Sequence, residues 1–272
     1  MFTHEFVRNA YLAGTFIALA CGITGWFVVL RGQLFAGDAL THVAFVGAIA
    51  AAVLGFDERV GLFVLTLLVA GGMALLGRRG QADDAVIGTV FAWILGIGVF
   101  LLAVLATSAS GGTGVSAANT LFGSIYSLTP GGSRLAAAIG LAVALAIHTA
   151  LRPLLLATLD AELAVIRGIP ARMLAVAFLV VLAVVTAEST QAVGALLLLG
   201  LLAAPGGAAH RLTTRPYRGI ALSALIAVLA MWGGLALSYE IASLPPSSAI
   251  IGLAGAAYAA ATVLTGSRAP NG

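Results

Sequence analysis

Charged residues are scarce in this sequence of 272 residues. Asp, Glu, Lys and Arg together make up 8% of it, whereas an average soluble domain carries about 25%. Hydrophobic residues make up 61%, and the mean hydropathy is +1.11. So few charges cannot cover a water-facing surface, and so apolar a composition excludes intrinsic disorder. The sequence therefore predicts an integral membrane protein.

Cysteine and several catalytic motifs are also missing. The single cysteine, Cys21, excludes an intramolecular disulfide and a thiolate cluster for zinc or iron–sulfur chemistry. The sequence has no GxxxxGK[ST] phosphate-binding loop, so we expect any ATP to be hydrolysed by a partner subunit. Because HExxH and GxSxG elements are absent too, we expect no catalytic residues and no resident cofactor. We also expect no nucleic-acid partner.

Apolar runs long enough to cross a membrane recur along the sequence, since a helix needs about 20 residues to span roughly 30 Å of hydrocarbon. The 34 glycines follow no repeat and favour close helix packing. We predict an all-α transmembrane helical bundle in a single domain, 1–272, with nine spans and a range of eight to ten. The range is open because residues 112–128 could span the membrane, re-enter it or lie at its surface. The predicted spans are 10–30, 38–55, 60–77, 85–107, 135–157, 171–187, 191–208, 219–238 and 247–265.

The positive charges predict the orientation of the chain. All thirteen basic residues are arginine, and short cytoplasmic loops collect positive charge. If the N-terminus is outside, ten arginines fall in cytoplasmic segments and only Arg8, Arg59 and Arg134 fall outside. The nine-span layout therefore predicts an external N-terminus and a cytoplasmic C-terminus.

Asp38 and His42 stand out because a titratable group inside a span costs about 2.5–3.5 kcal/mol on insertion scales. Four residues apart on a helix, their side chains project from one face. A carboxylate and an imidazole can converge there on Mn²⁺, Zn²⁺ or Fe²⁺, and the residue types do not distinguish these ions. The alternative is that Asp38 caps the helix N-terminus while His42 is a packed core histidine.

Glu188 lies near the end of the sixth predicted span, at the predicted outer mouth. It could help to attract cations there. The alternative interpretation is an ordinary solvated loop residue, which is the commoner role of glutamate.

The sequence LDAELAVIRGIPARM, residues 159–173, predicts a short amphipathic helix on the cytoplasmic side. Leu159, Leu163 and Arg167 follow one another at helical spacing, and Gly168 followed by Pro170 would end the helix. Residues 158–170 are therefore a candidate docking element for a partner protein. The alternative is a helix that lies on the lipid surface.

A second segment, VGALLLLGLLAAPGGAAHR, covers residues 193–211. Pro205, Gly206 and Gly207 fall near the inner end of a predicted span. Proline removes a helix hydrogen bond, and glycine lets backbones approach closely. The segment thus predicts either a hinge or a close backbone contact.

Five segments occur in the order FVVLRGQLFAGDALTHVAFVGA, LFGSIYSLTP, LDAELAVIRGI, VGALLLLGLLAAPGGAAHR and LPPSSAII. Together, over residues 10–265, they resemble the metal-ion ABC-transporter permease family, the membrane subunits of bacterial importers for zinc, manganese or iron(II). The first is the most specific, since it is similar to that family's R-x-x-x-[YF]-x-G-D-x-[LI]-[SA]-H-A pattern. Thr41 and Val43 depart from the residues that flank this histidine more often.

The resemblance implies a type II ABC importer in a bacterial inner membrane. Two permease copies, identical or different, would work with two cytoplasmic ABC ATPase subunits and an extracytoplasmic metal-binding protein. The resemblance assigns transient metal contact to Asp38 and His42. It assigns the contact with the ATPase to Asp160, Glu162, Leu163, Ala164 and Gly168.

A transporter of another class fits the same pair of residues. A proton- or sodium-coupled secondary transporter would use Asp38 and His42 as a proton relay. It would need no ATPase, so the presence of a nucleotide-binding partner separates the two hypotheses.

Overall fold

The structure is a computed structural model that describes residues 4–76, 84–108, 123–195, 198–241 and 243–266. These residues are helical, and no strand occurs among them. A short 3-10 helix, Ile125–Ser127, precedes α5. The α-helices of the described residues are α1 (Glu5–Leu30), α2 (Leu34–Leu54), α3 (Glu58–Leu76), α4 (Asp84–Ser108), α5 (Pro130–Thr149), α6 (Leu151–Leu159), α7 (Ala161–Ile166), α8 (Ala171–Val193), α9 (Leu198–Leu212), α10 (Pro216–Glu240) and α11 (Pro246–Gly266).

Eight of the described helices are long and apolar enough to cross a membrane: α1 to α5, α8, α10 and α11. This number lies within the predicted range, and the all-α fold class is confirmed. The remaining predicted span, 191–208, falls on the end of α8 and on α9. With 15 residues, α9 rises only about 22 Å. Most of the ambiguous segment, residues 112–122, lies outside the described residues.

The helices pack into two compact units. The first unit contains Met1–Gly32, Ile125–Ile147 and Leu199–Gly272, and the second contains Gln33–Ser124 and His148–Leu198. Each unit therefore joins segments that are far apart in the sequence.

In the first unit, glycines let α1 approach α9 and α10 at backbone distance. A Cβ atom added to Gly25 would overlap the carbonyl oxygen of Leu202, and one added to Gly206 would lie 2.7 Å from the carbonyl oxygen of Gly25. A Cβ atom on Gly22 would lie 2.7 Å from the Cα atom of Ala224. Small residues at crossings are typical of transmembrane bundles, so the close packing predicted from the glycine content is present.

In the second unit, α2 packs against α3, α4 and α8. Phe45, Val46 and Ile49 of α2 form a buried apolar cluster, against which Ile94 and Leu101 of α4 pack. This arrangement makes α2 the central helix of its unit and fixes the face of α2 that its neighbours leave accessible.

Candidate functional site

In the central turns of α2, the accessible side chains are the two that the sequence singled out. From Ala36 to Ile49 every residue is buried except Asp38 and His42. The helix begins at Leu34, after an N-cap at Gln33, so Asp38 already lies in its second turn. The capping alternative for Asp38 is therefore wrong, because a capping side chain belongs to the residue before the first turn. His42 is half-buried, and so it is not a fully packed core histidine either.

The geometry of the pair suits a shared cation. His42 Nε2 and Asp38 Oδ1 are 3.9 Å apart, with side-chain exposures of 20% and 32%. This distance is too long for a hydrogen bond. Ligand bonds of about 2.0–2.2 Å let one ion touch two atoms that are up to about 4 Å apart. The two lone pairs can therefore serve one metal ion without a change of helix geometry.

The ligand set at this pair is small. Within the described part of the chain, no group of three or more His, Cys, Asp and Glu side chains could hold a metal ion. The ring of His42 instead faces the ring of Phe91 on α4, with 5.3 Å between their centroids. A metal ion held by only two protein side chains would be bound less tightly than in the four-ligand cages of structural metals.

Glu188 is not the solvated loop residue that was one interpretation of the sequence. It lies in the last turns of α8 and is 3% exposed. Both of its carboxylate oxygens accept hydrogen bonds from Arg59 Nη2, at 2.6 and 2.7 Å. Since Arg59 stands at the start of α3, this ion pair joins α3 to α8 within the second unit. Its partner neutralises Glu188, so the carboxylate offers little attraction to a passing cation.

Removing either partner of the pair is expected to destabilise the protein. Arg59→Ala would leave a buried carboxylate uncompensated, and breaking a buried pair in this way costs about 3–5 kcal/mol. We expect the lower end of that range, because the Arg59 side chain keeps 21% exposure. The measurement is the free energy of unfolding in mixed detergent micelles.

The control for this prediction is Glu240→Ala, which removes an exposed glutamate at the end of α10. The double variant Arg59→Met with Glu188→Leu should recover most of the loss, since a well-packed apolar pair can replace a buried ion pair. A double variant no more stable than either single variant would contradict this account.

The short helix predicted in residues 159–173 is α7. The Asp160 side chain caps it by accepting a hydrogen bond from Leu163 N–H at 2.8 Å. Gly168 ends it with φ at +72°, and the N–H groups of Gly168 and Ile169 donate to the carbonyls of Val165 and Ala164. This is the glycine-ended cap known as the Schellman motif. Both ends of α7 are thus satisfied locally.

Of the residues assigned to the ATPase contact, some shape or pack α7 and others are accessible to a partner. Asp160 and Gly168 build the caps of α7, and Ala164 is fully buried. Glu162 is exposed and Leu163 is half-buried. The most exposed apolar side chains of α7 are Val165 and Ile166, at 65% and 80%. Sequence reasoning missed them because they lie outside the i, i+4 pattern that it followed, which comprises Leu159, Leu163 and Arg167.

Pro205, Gly206 and Gly207 lie inside α9, which continues to Leu212. Gly206 meets the backbone of α1, as described above, and a Cβ atom on Gly207 would lie 2.9 Å from the Tyr258 ring. Of the two outcomes predicted for this segment, a close backbone contact is therefore present. A hinge at the same residues stays a prediction.

Arg31, the first residue of the most specific motif, follows α1 directly as its C-cap. Burial lowers the pKa of its guanidinium to about 10. A group with this pKa is still cationic at neutral pH, so Arg31 keeps the positive charge that the orientation argument assigns to the cytoplasmic side.

Phe91 and the Arg59–Glu188 pair were not found by sequence reasoning. A phenylalanine in an apolar span carries no signal of its own. The partners Arg59 and Glu188 are 129 positions apart, and only the packing of α3 on α8 brings them together.

Comparison with known proteins identifies the family. Residues 3–265 match the model of the ABC 3 transport family. The chain is 29% identical over 246 residues to the manganese transport system membrane protein MntC of Halalkalibacterium halodurans, covering 89% of this chain and 82% of that protein. It is 27% identical over 238 residues to the manganese import system permease protein ScaB of Streptococcus parasanguinis, with coverages of 87% and 83%.

A solved structure shares the fold. The match is to a chain of PsaBC from Streptococcus pneumoniae in complex with Fab, with a TM-score of 0.82 and 24% identity. It covers 96% of this chain and 92% of that chain. The protein is thus a multi-pass membrane protein of the ABC 3 transport family, and the resemblance to metal-ion ABC-transporter permeases inferred from its own motifs is confirmed.

Proposed function

We propose that this chain is the permease subunit of an ATP-driven importer for a divalent transition-metal ion, with Mn²⁺ as its preferred substrate. The observation that carries the proposal is the pair on α2. Asp38 and His42 are the accessible side chains in a buried stretch, and their ligand atoms are 3.9 Å apart. The relatives MntC and ScaB are both named as manganese transport proteins, which supports manganese over zinc and iron(II) as the substrate.

Transport requires weak ligation. A site that lies on a pathway must bind an ion well enough to accept it and weakly enough to release it. One carboxylate and one imidazole from this chain, with water and a second permease copy supplying the other ligands, meet that requirement. Carboxylate suits Mn²⁺, and imidazole adds affinity for a first-row transition metal.

The proposed direction of transport is inward, because the binding protein lies outside the membrane and the ATPase subunits lie in the cytoplasm. An extracytoplasmic binding protein delivers the ion to the outer mouth, and cytoplasmic ATPase subunits hydrolyse ATP, since the sequence contains no phosphate-binding loop of its own. In the nine-span layout predicted from the sequence, the N-terminus is outside and α7 is cytoplasmic.

The test of the proposed function is uptake by reconstituted liposomes. The chain is combined with its ATPase and binding protein, and uptake of Mn²⁺, Zn²⁺ and Fe²⁺ is measured with and without ATP. We expect ATP-dependent Mn²⁺ uptake that exceeds uptake of the other two ions. Uptake driven by a proton or sodium gradient in the absence of the ATPase would establish the secondary transporter instead.

The exposed tip of α7 gives a separate prediction about the ATPase contact. Val165→Asp and Ile166→Asp place charge on side chains that are 65% and 80% exposed, so the fold should tolerate them. A carboxylate buried in an apolar docking groove pays a large desolvation cost. We expect each variant to lower the amount of ATPase that co-purifies with the chain by at least about tenfold, equivalent to about 1.4 kcal/mol.

The matched control is Leu212→Asp, which alters an exposed apolar residue at the end of α9. In the nine-span layout predicted from the sequence, in which residues 191–208 cross the membrane, it lies on the same side as α7. Equal co-purification of the ATPase with all three variants and the wild type would exclude α7 as the docking element.

A further inference from the structure

Helices α2 and α4 run parallel and in register beside the Asp38–His42 pair. Going along α2, Phe35, His42 and Val46 meet Gly88, Phe91 and Gly98 of α4 in the same order. At the last of these contacts, a Cβ atom on Gly98 would lie 2.6 Å from Val46 Cγ2. The packing of the Val46 side chain on Gly98 brings α4 close to α2 and so helps to hold Phe91 opposite His42.

Phe91 occupies one side of the imidazole ring. Its centroid is 5.3 Å from that of His42, with 52° between the ring planes. The ring of Phe35 meets Phe91 edge-on, at 6.2 Å and 79°. Phe91, which itself contacts Phe35, therefore lies on the side of His42 that faces α4, and a phenyl ring has no lone pair for a metal ion.

We propose that Phe91 is a positioning residue that limits the ligands supplied by this chain at the Asp38–His42 pair to two, so that a bound ion is released. The inference rests on the proposed function of that pair. A ligating side chain at this place would stand beside His42 and complete a group of three, a kind of group that the described residues do not contain. Extra ligands raise metal affinity, and high affinity stops passage through a site on a pathway.

The experiment adds a lone pair where the phenyl ring stands. Mn²⁺ binding to the complete transporter is measured by the loss of the free-ion EPR signal, and uptake is measured in liposomes. For Phe91→His we expect Mn²⁺ affinity to rise by at least about tenfold, the smallest effect usual even for outer-shell partners of a metal. Uptake should fall by a similar factor. Phe91→Leu, which adds no lone pair, should leave Mn²⁺ affinity within about twofold of the wild type.

Two further variants separate ligand number from structural damage. Phe100→His places the same side chain on α4 at a residue that is 67% exposed and outside the contact with α2, and it should bind Mn²⁺ as the wild type does. Phe91→His combined with Asp38→Ala returns the ligand count to two. It should release the ion faster than Phe91→His alone, which a purely structural defect would not do.

A smaller ligand covers the case in which Phe91→His does not fold. Phe91→Cys introduces a thiol beside the pair, and Cd²⁺ should then give a stronger ultraviolet sulfur-to-metal charge-transfer band than in the wild type, whose single cysteine, Cys21, is buried. Unchanged Mn²⁺ affinity in Phe91→His, or no stronger Cd²⁺ band in Phe91→Cys, would overturn the proposal. If Asp38→Ala and His42→Ala both leave Mn²⁺ uptake intact, the proposed role of the pair fails first, and the two failures are therefore distinguishable.

Discussion

His42→Ala and Asp38→Ala are each expected to abolish ATP-dependent Mn²⁺ uptake. Each substitution removes one of the two side chains that are proposed to bind the ion and whose polar atoms lie 3.9 Å apart on α2. Loss of an outer-shell partner alone commonly costs about 10–100-fold in metal affinity or activity, so loss of a direct ligand should exceed about 100-fold. The initial uptake rate in liposomes measures the effect, with the ATPase and binding protein present in equal amounts.

A matched control exists for the histidine. His148 lies at the end of α5 and is exposed, so His148→Ala removes an imidazole without touching the pair. It should transport as the wild type does. Wild-type uptake with unchanged KM in both Asp38→Ala and His42→Ala would refute the assignment of the site while leaving the family intact.

The second large effect is expected at Gly25, where one methyl group should prevent correct assembly of the first unit. In Gly25→Ala the new Cβ atom would overlap the Leu202 carbonyl oxygen, a backbone atom that no rotamer change can move aside. Overpacking against side chains typically costs about 1–3 kcal/mol. Here α1 and α9 must separate along their crossing, so the cost should exceed that range.

Gly71→Ala provides the contrast within the same chain. Gly71 is inside α3, and nothing lies within 4 Å of an added Cβ atom. Alanine should stabilise that helix by about 0.5–1 kcal/mol relative to glycine. The yield of monodisperse protein and its thermal midpoint in detergent measure both changes. A Gly25→Ala protein as stable as Gly71→Ala would show that the crossing is looser than described.

Apolar length was enough to predict most of the fold. In hydrocarbon the backbone N–H and C=O groups must form hydrogen bonds within their own segment, which favours a helix. A long apolar segment such as that of α4 therefore specifies its helical structure without reference to its neighbours. The prediction weakened at α9, whose 15 residues are fewer than the roughly 20 that a span usually needs. Helix starts were also less certain, since α2 begins at Leu34 and not at residue 38.

The candidate site was predictable only in part. Asp38 and His42 are costly in an apolar run, and spacing alone places them on one face. Phe91 and the Arg59–Glu188 pair depend on which helices become neighbours, and that information lies in the fit between surfaces. Glu188 shows the difference: its charge was visible in the sequence, whereas its burial and its bond to Arg59 were decided by α3 and α8.

The two caps of α7 have a mechanical consequence. A helix of six residues is far below the length at which helices are stable alone in water, and an uncapped one would unwind when pushed. Asp160 closes one end of α7, and Gly168 with Ile169 closes the other. A force applied at Val165 and Ile166 would therefore move α7 as a rigid helix and displace α6 and α8. Without these caps, the same force would unwind the ends of α7 and displace the neighbouring helices less.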